Sequence, residues 1–195
     1  MLKNVFYDGL GLNAWLFQAV NGIRHPLWDG LMRAVSGSAD YRLIPLLLAL
    51  LAAGALVARR RVAGPVAQDL TLAARQLLLG FVLAALAVGL LKAGIALPRP
   101  SMVLPPDALH LLEPPESPYS FPSGHAASAA LLAGWLWGWA PPAWRPLLLV
   151  WATLAAVSRL SLGVHFPADV VAGAALGGAC AWLARRLLAP RAAAR

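Results

Sequence analysis

Charge is scarce in this sequence. Asp, Glu, Lys and Arg together make up 12% of its 195 residues, against roughly 25% in soluble domains. With 60% hydrophobic residues, that scarcity argues against a water-soluble globule. Cysteine is almost absent. Cys180 stands alone inside an apolar stretch, which excludes an internal disulfide and a cysteine-held metal cluster. Acidic residues are few as well, eight against sixteen Lys and Arg, for a formal charge of +8. Such an excess would suit nucleic acid, but here the cations stand at the ends of apolar runs rather than along one polar face. They serve orientation in a bilayer, and no nucleic-acid partner is expected. Nor does an uninterrupted apolar core follow Lys3, because Asp8, Asn13, Gln18 and Asn21 break it. No cleaved signal peptide is expected.

What the sequence does contain is apolar runs. They predict an all-α, polytopic transmembrane helical bundle of five to six spans. Five segments, roughly Tyr41 to Ala58, Leu70 to Leu97, Ser123 to Ala140, Trp144 to Leu162 and Pro167 to Leu188, read as long enough to cross a hydrocarbon core of about 30 Å. Before them, Leu10, Leu12, Trp15, Leu16 and Val20, then Leu27, Trp28, Leu31 and Met32, form apolar stripes beside polar neighbours. Residues 1–40 are thus expected as an amphipathic, interfacial segment, and residues 41–195 as one transmembrane domain. A crossing within the first forty residues would make the sixth span. Arg59, Arg60, Arg61, Arg145, Arg185, Arg186, Arg191 and Arg195 all fall on one side, which the positive-inside rule makes cytoplasmic. The Pro-rich connection Pro98 to Pro122 and the turn Gly163 to Phe166 then lie outside, together with Lys3, Arg24, Arg33 and Arg42, which oppose the trend. Trp135, Trp137, Trp139 and Trp144 read as an interfacial belt. Gly173 and Gly177 read as a site of close helix packing inside the bundle.

Ionisable groups in or beside spans are costly and mark function by default. Here they gather at the outer ends of spans two to five. Lys92 and Arg99 are seven residues apart, so on one helix they would share a face, with Pro98 and Pro100 ending it. Ser123 follows Pro122 and can cap the third span, leaving the Gly124 amide and its neighbours facing outward as an anion site. His125 is next in line. Arg159, at the end of the fourth span, offers a planar fork suited to phosphate oxygens. Asp169 stands four residues after His165, with Pro167 as first helical residue, so it can reach a ring nitrogen, fix the tautomer and leave the other nitrogen free to attack. Two histidines, an aspartate and three cations at exposed helix N-termini describe phosphoryl transfer in which cations stabilise the charged transition state. That chemistry calls for no metal and no other cofactor. Taken singly, Lys92 is a snorkelling lysine, Arg99 and Arg159 are headgroup anchors, Ser123 a cap, the histidines structural, and Asp169 a first-turn acid. Joint occurrence carries the catalytic reading. His25 and His110 receive no role, and Asp107, Glu113 and Glu116 read as a solvated loop.

The segments Lys92-(six residues)-Arg99-Pro100, Pro122-Ser123-Gly124-His125 and Ser158-Arg159-(five residues)-His165-(three residues)-Asp169 resemble the three signature motifs of the type-2 phosphatidic acid phosphatase family. The resemblance departs at no signature position. It implies a helical bundle with the motifs at one membrane face. It also implies His165 as the nucleophile that forms a phosphohistidine, Asp169 as its orienting partner, and His125 as the acid for the leaving oxygen. Lys92, Arg99, Arg159, Ser123 and the Gly124 amide would bind the phosphate. The stretch Leu12 to Phe17 with Asn21 is similar to bacterial members that act on undecaprenyl pyrophosphate. The implied protein is a lipid phosphatase of a bacterial inner membrane with its site on the extracytoplasmic side and a membrane lipid as substrate. Phosphatidylglycerol phosphate, phosphatidic acid and lipid A phosphates are alternative substrates, a phosphotransferase is an alternative reaction, and a lipid or phosphate translocator is the alternative of another class. Oligomeric state is left open.

Overall fold

A computed structural model describes residues 11–61 and 64–189. Lys3, Asp8, Leu10, Arg191 and Arg195, which enter the sequence reading, lie outside the described residues. Among these residues eight α-helices follow one another: α1 Leu12–Asn21, α2 Pro26–Ser38, α3 Ile44–Arg61, α4 Gly64–Ile95, the single turn α5 Pro100–Val103, α6 Gly124–Leu136, α7 Arg145–Ser161 and α8 Pro167–Leu187. Among the described residues there is no strand, only an isolated bridge between Pro98 and Tyr119.

The starts of these helices carry local signals. His25 precedes Pro26 and its Nδ1 accepts the Leu27 amide at 3.2 Å, capping α2. Ser123 caps α6 by accepting the Ala126 amide. Pro167 opens α8, and Asp169 reaches back to the Phe166 amide at 2.8 Å, so the exposed donors of that first turn are partly satisfied.

Helix α6 sits at the centre, against α4, α7 and α8. Its sequence GHAASAALLAGWL is apolar all round, the pattern of a helix buried on every side, and most of it is buried. Small residues let α8 come close. A Cβ at Gly173 would run into the Ser123 carbonyl, and one at Gly177 into the Ala127 carbonyl, so these glycines mark packing within the bundle, as their spacing predicts. On the other side Leu77 and Ala84 of α4 meet Leu131, Leu132 and Trp135 of α6 and Cys180 of α8 in the main apolar cluster. Trp135 therefore does not belong to the expected interfacial belt: it is buried and donates its indole N–H to the Ala73 carbonyl at 3.0 Å, the partner a buried indole needs.

Among the described residues, three segments are long and apolar enough to cross a membrane: Tyr41–Arg61, Gly64–Ile95 and Pro167–Leu187. Their outer faces carry bare apolar side chains such as Leu50, Leu90 and Leu187. Helices α6 and α7 are shorter than the apolar runs that contain them, 13 and 17 residues, rising about 20 and 26 Å against a core of about 30 Å. The run at α6 loses its last residues to a turn at Gly138 and to Pro141-Pro142. Walled by its neighbours, α6 has no lipid thickness to match.

Helices α1 and α2 pack on α7. Asn21, fully buried, donates to the carbonyls of His110, Leu160 and Ser161 and accepts the His110 amide at 2.8 Å. Asn13 accepts the Ala168 amide at 2.9 Å. The amino-terminal residues thereby fasten the Pro-rich connection and the first turn of α8, the parts that frame the site.

Candidate active site

Four chain segments end at the same place: the last turn of α4 with Lys92, the first of α6 with Ser123 and Gly124, the last of α7 with Arg159, and the turn that carries His165 into α8. Gly163 makes that turn. Its φ is +82° and a Cβ would strike the His110 carbonyl, so only glycine fits without strain.

His165 is buried among three partners. Its Nδ1 lies 3.3 Å from Asp169 Oδ2 and 3.3 Å from Ser120 Oγ, and its Nε2 lies 3.4 Å from an Arg99 Nη1. Asp169, completely buried, also accepts the Ser120 hydroxyl at 2.5 Å and the Phe166 amide. A carboxylate on Nδ1 and a cationic donor at Nε2 select one tautomer, with the proton on Nδ1 and the lone pair on Nε2. Burial pulls the imidazole down to about 4, against the hydrogen bond and charge of Asp169, which raise it. At neutral pH the ring is uncharged.

Around it the cations are held by carbonyls and carboxylates. Lys92 Nζ donates to the Tyr119 carbonyl at 2.9 Å and to that of Ser120 at 3.3 Å. Arg99 is buried, with Nε on the Ser117 carbonyl at 2.6 Å and Nη1 on that of Val164 at 2.8 Å. Lys92 and Arg99 do not share one helix face, although their spacing predicts that they would. Helix α4 ends at Ile95, Ala96 has φ of 52°, and Arg99 stands in extended backbone, because the residues before Pro98 and Pro100 are driven out of the helical region. Lys92 and Arg99 thus converge through a bend and not along one helix face.

Arg159 is also buried. It donates to Ser36 Oγ of α2 and, at 2.9 Å, to Glu113 Oε2 of the Pro-rich connection. Glu113 is therefore no freely solvated loop residue, and neither is Glu116, which pairs with Arg42 at 2.5 Å and has its other oxygen 3.8 Å from His125 Nδ1. His125 is buried edge-on to Tyr41. Asp40, Glu116 and His125 bring ligand-capable atoms within 4.8 Å of one another. Both carboxylates of that group already face the Arg42 guanidinium. At Asp40 burial alone would raise the carboxyl, yet hydrogen bonds from the Arg42 amide and side chain hold it below its usual value.

A cavity of about 330 Å³ opens from this cluster. Lys92, Arg99, Gly124 and His165 line its polar end, and Ile44, Phe81, Val88 and Leu131 line the remainder, between α3, α4 and α6. Ser123, His125, Arg159 and Asp169 are not part of its lining. Nothing in the sequence points to Ser120, Ser36 or the Arg42 pairs, or to the contact that Glu113, expected in a solvated loop, makes with Arg159. They lie between 45 and 123 residues from the groups they contact at His165, Asp169 and Arg159, or belong to a loop whose path no spacing gives.

The family model of the PAP2 superfamily matches residues 73–192. The chain is similar to phosphatidylglycerophosphatase B of Escherichia coli K12, 46% identical over 83 residues that make up 38% of this chain and 33% of that protein. The match thus spans a third of that relative's length. It is also similar to the undecaprenyl-diphosphatase of Sulfolobus acidocaldarius, 32% identical over 177 residues, 87% of this chain and 75% of that protein. Among solved structures, the first transmembrane PAP2 type phosphatidylglycerolphosphate phosphatase from Bacillus subtilis superposes with a TM-score of 0.72 at 26% identity, covering 95% of this chain and 88% of that one.

Proposed function

The chain belongs to the PAP2 superfamily, and on that footing we propose that it is a membrane lipid phosphatase working through a phosphohistidine, with undecaprenyl pyrophosphate as first substrate. The observation that carries this reading is His165, set between Asp169 and Arg99 at the polar end of an otherwise apolar cavity. The lipid tail lies along the apolar wall and the terminal phosphate meets Nε2. The Nε2 lone pair attacks phosphorus while the bond to the leaving oxygen breaks, and His125 gives that oxygen its proton. Asp169 keeps the Nδ1 proton in place and stabilises the cation that forms. Lys92, Arg99, Arg159, Ser123 and the Gly124 amide take the charge on the phosphoryl oxygens, with phosphate displacing Glu113 from Arg159. A water, deprotonated by His125, then hydrolyses the P–N bond and restores both rings. Three cations supply the electrostatic stabilisation a metal provides elsewhere.

Phosphatidylglycerol phosphate is the second substrate reading, favoured by the names of the Escherichia coli and Bacillus subtilis relatives. On this reading the site faces the extracytoplasmic side of a bacterial inner membrane, supported by the arginine-rich helix ends at the opposite end of the bundle.

The test is phosphate release by detergent-purified protein from undecaprenyl pyrophosphate, with phosphatidylglycerol phosphate and phosphatidic acid alongside and excess EDTA throughout. Release from the isoprenoid that survives EDTA and disappears in His165→Ala supports the proposal. Release only from a glycerolipid keeps the mechanism and changes the substrate. Full activity in His165→Ala overturns the mechanism and calls for another nucleophile, and no release from any of the three lipids favours translocation.

A further inference from the structure

A second cavity, of about 430 Å³, lies at the other end of the bundle. Its walls come from the last turns of α6 and α8, at Gly134, Trp182 and Arg185, whereas the active site occupies their first turns.

Arg185 and Arg186 both line this cavity, and neither forms an ion pair with an acid among the described residues. Arg185 spends one N–H on the Gly134 carbonyl at 3.2 Å. Its guanidinium occupies the space that a Cβ on Gly138 would need. Arg186 lies over the Trp182 ring at 5.6 Å, and nearby Arg145 lies over Trp137, a wall residue, at 5.4 Å. Gln76 of α4 completes the polar lining. Its amide makes no hydrogen bond to any described residue and lies in the cavity wall. Trp182, Leu183 and Leu187 beside the cavity are bare apolar side chains on a helix long enough to cross a membrane.

Arginines at a helix C-terminus offset its dipole, and those at a cytoplasmic end orient a chain. Neither role calls for a cavity, or for an amide side chain in its wall. Fixed positive charge, a free amide donor and a flank of tryptophan and leucine together fit one chemistry: a phosphodiester joined to hydrocarbon.

We propose that this cavity holds the headgroup phosphate of an anionic phospholipid from the leaflet opposite the active site. Arg185 and Arg186 take the phosphate oxygens, the Gln76 amide donates a further hydrogen bond, and the first methylenes of the chains lie against Trp182. A free anion would satisfy the cations and leave the apolar flank without a role. The cavity binds lipid without turning it over, and occupancy stabilises the fold.

The experiment is thermal unfolding of the full chain in detergent with added phosphatidylglycerol, phosphatidylcholine or inorganic phosphate. It is run on the wild type and on His165→Ala, so that binding in the catalytic cavity is read separately. Phosphatidylglycerol is expected to raise the Tm by about 5 °C at saturation, in both proteins alike, with little effect from phosphatidylcholine. Arg185→Gln/Arg186→Gln and, independently, Gly178→Leu should abolish the shift. Gly178 lines the cavity and a Cβ there meets nothing within 4 Å, so leucine fills the space without removing charge. If the double arginine variant does not fold, Gly178→Leu alone decides. No shift with phosphatidylglycerol, a shift that survives Gly178→Leu, an equal shift with phosphatidylcholine, or one reproduced by inorganic phosphate would each overturn the assignment.

Discussion

With Asp169 at Nδ1 and Arg99 at Nε2, protonation of His165 removes the one lone pair the proposed reaction uses. Burial sets that event near pH 4, below the ordinary histidine value, so the attacking form is complete at neutral pH and is lost as pH falls through about 4. The value of kcat/KM should be flat between pH 5 and 7 as far as this ring decides it, then fall tenfold per unit below about 4; an inflection near 6.5 would mean a solvated ring. Asp169→Asn can turn its amide N–H toward Nδ1 and favour the wrong tautomer, and should cost about 10²–10⁴ in kcat/KM, measured by phosphate release. Glu113 makes an opposite argument. Its carboxylate occupies Arg159 where substrate phosphate is proposed to bind. Glu113→Gln should therefore lower KM several-fold, while the Tm falls because a buried guanidinium loses its counter-charge. A raised KM would make Glu113 a positioning residue. The His165–Asp169 pair and the Ser123 cap were legible because both relations are local, i to i+4 and i to i+3. Ser36 and Glu113 were not, since tertiary folding alone brings them to Arg159.

Between elements, the tightest constraint is the approach of α8 to α6. Gly173 and Gly177 face the carbonyls of Ser123 and Ala127, and backbone cannot turn aside as a flexible side chain can. Gly177→Ala should cost about 1–3 kcal/mol by overpacking. It should also lower kcat by tilting α6, whose first turn holds Ser123 and Gly124. The neighbouring Gly178→Ala meets open space and should leave the Tm unchanged or slightly raised, which makes it the control in the same unfolding series. That close packing was readable from small residues four apart. The convergence of Lys92 and Arg99 was readable as a result but not as a route, because a seven-residue spacing says nothing about a helix ending at Ile95 with a left-handed residue after it. Trp135 was misassigned for a related reason: a cluster of tryptophans suggests an interface, and only the packing of α4 supplies the Ala73 carbonyl that allows one of them to be buried.

At the scale of the molecule, charge divides by end and by role. Arg59, Arg60 and Arg61 close α3, Arg145 opens α7, and Arg185 and Arg186 close α8, all at the end away from His165. At the other end, two of the arginines that oppose the positive-inside trend are bound into ion pairs. Arg24 pairs with Asp29 at 3.3 Å, and Arg42 with Asp40 and Glu116. They hold the frame of the site, so their presence at this end of the bundle follows from structure there and does not argue against the proposed orientation. The proposed orientation then has a direct consequence for the Pro-rich connection, whose turn Pro106–Ala108 leaves Pro106 and Asp107 exposed. Cys180, the one cysteine, is buried within α8, so the wild type should stay silent to a membrane-impermeant thiol reagent. Ala108→Cys should be labelled in intact cells to the same extent as after lysis. Labelling that appears only after lysis would put the active site on the cytoplasmic face, where its lipid phosphate would have to be drawn from the opposite leaflet.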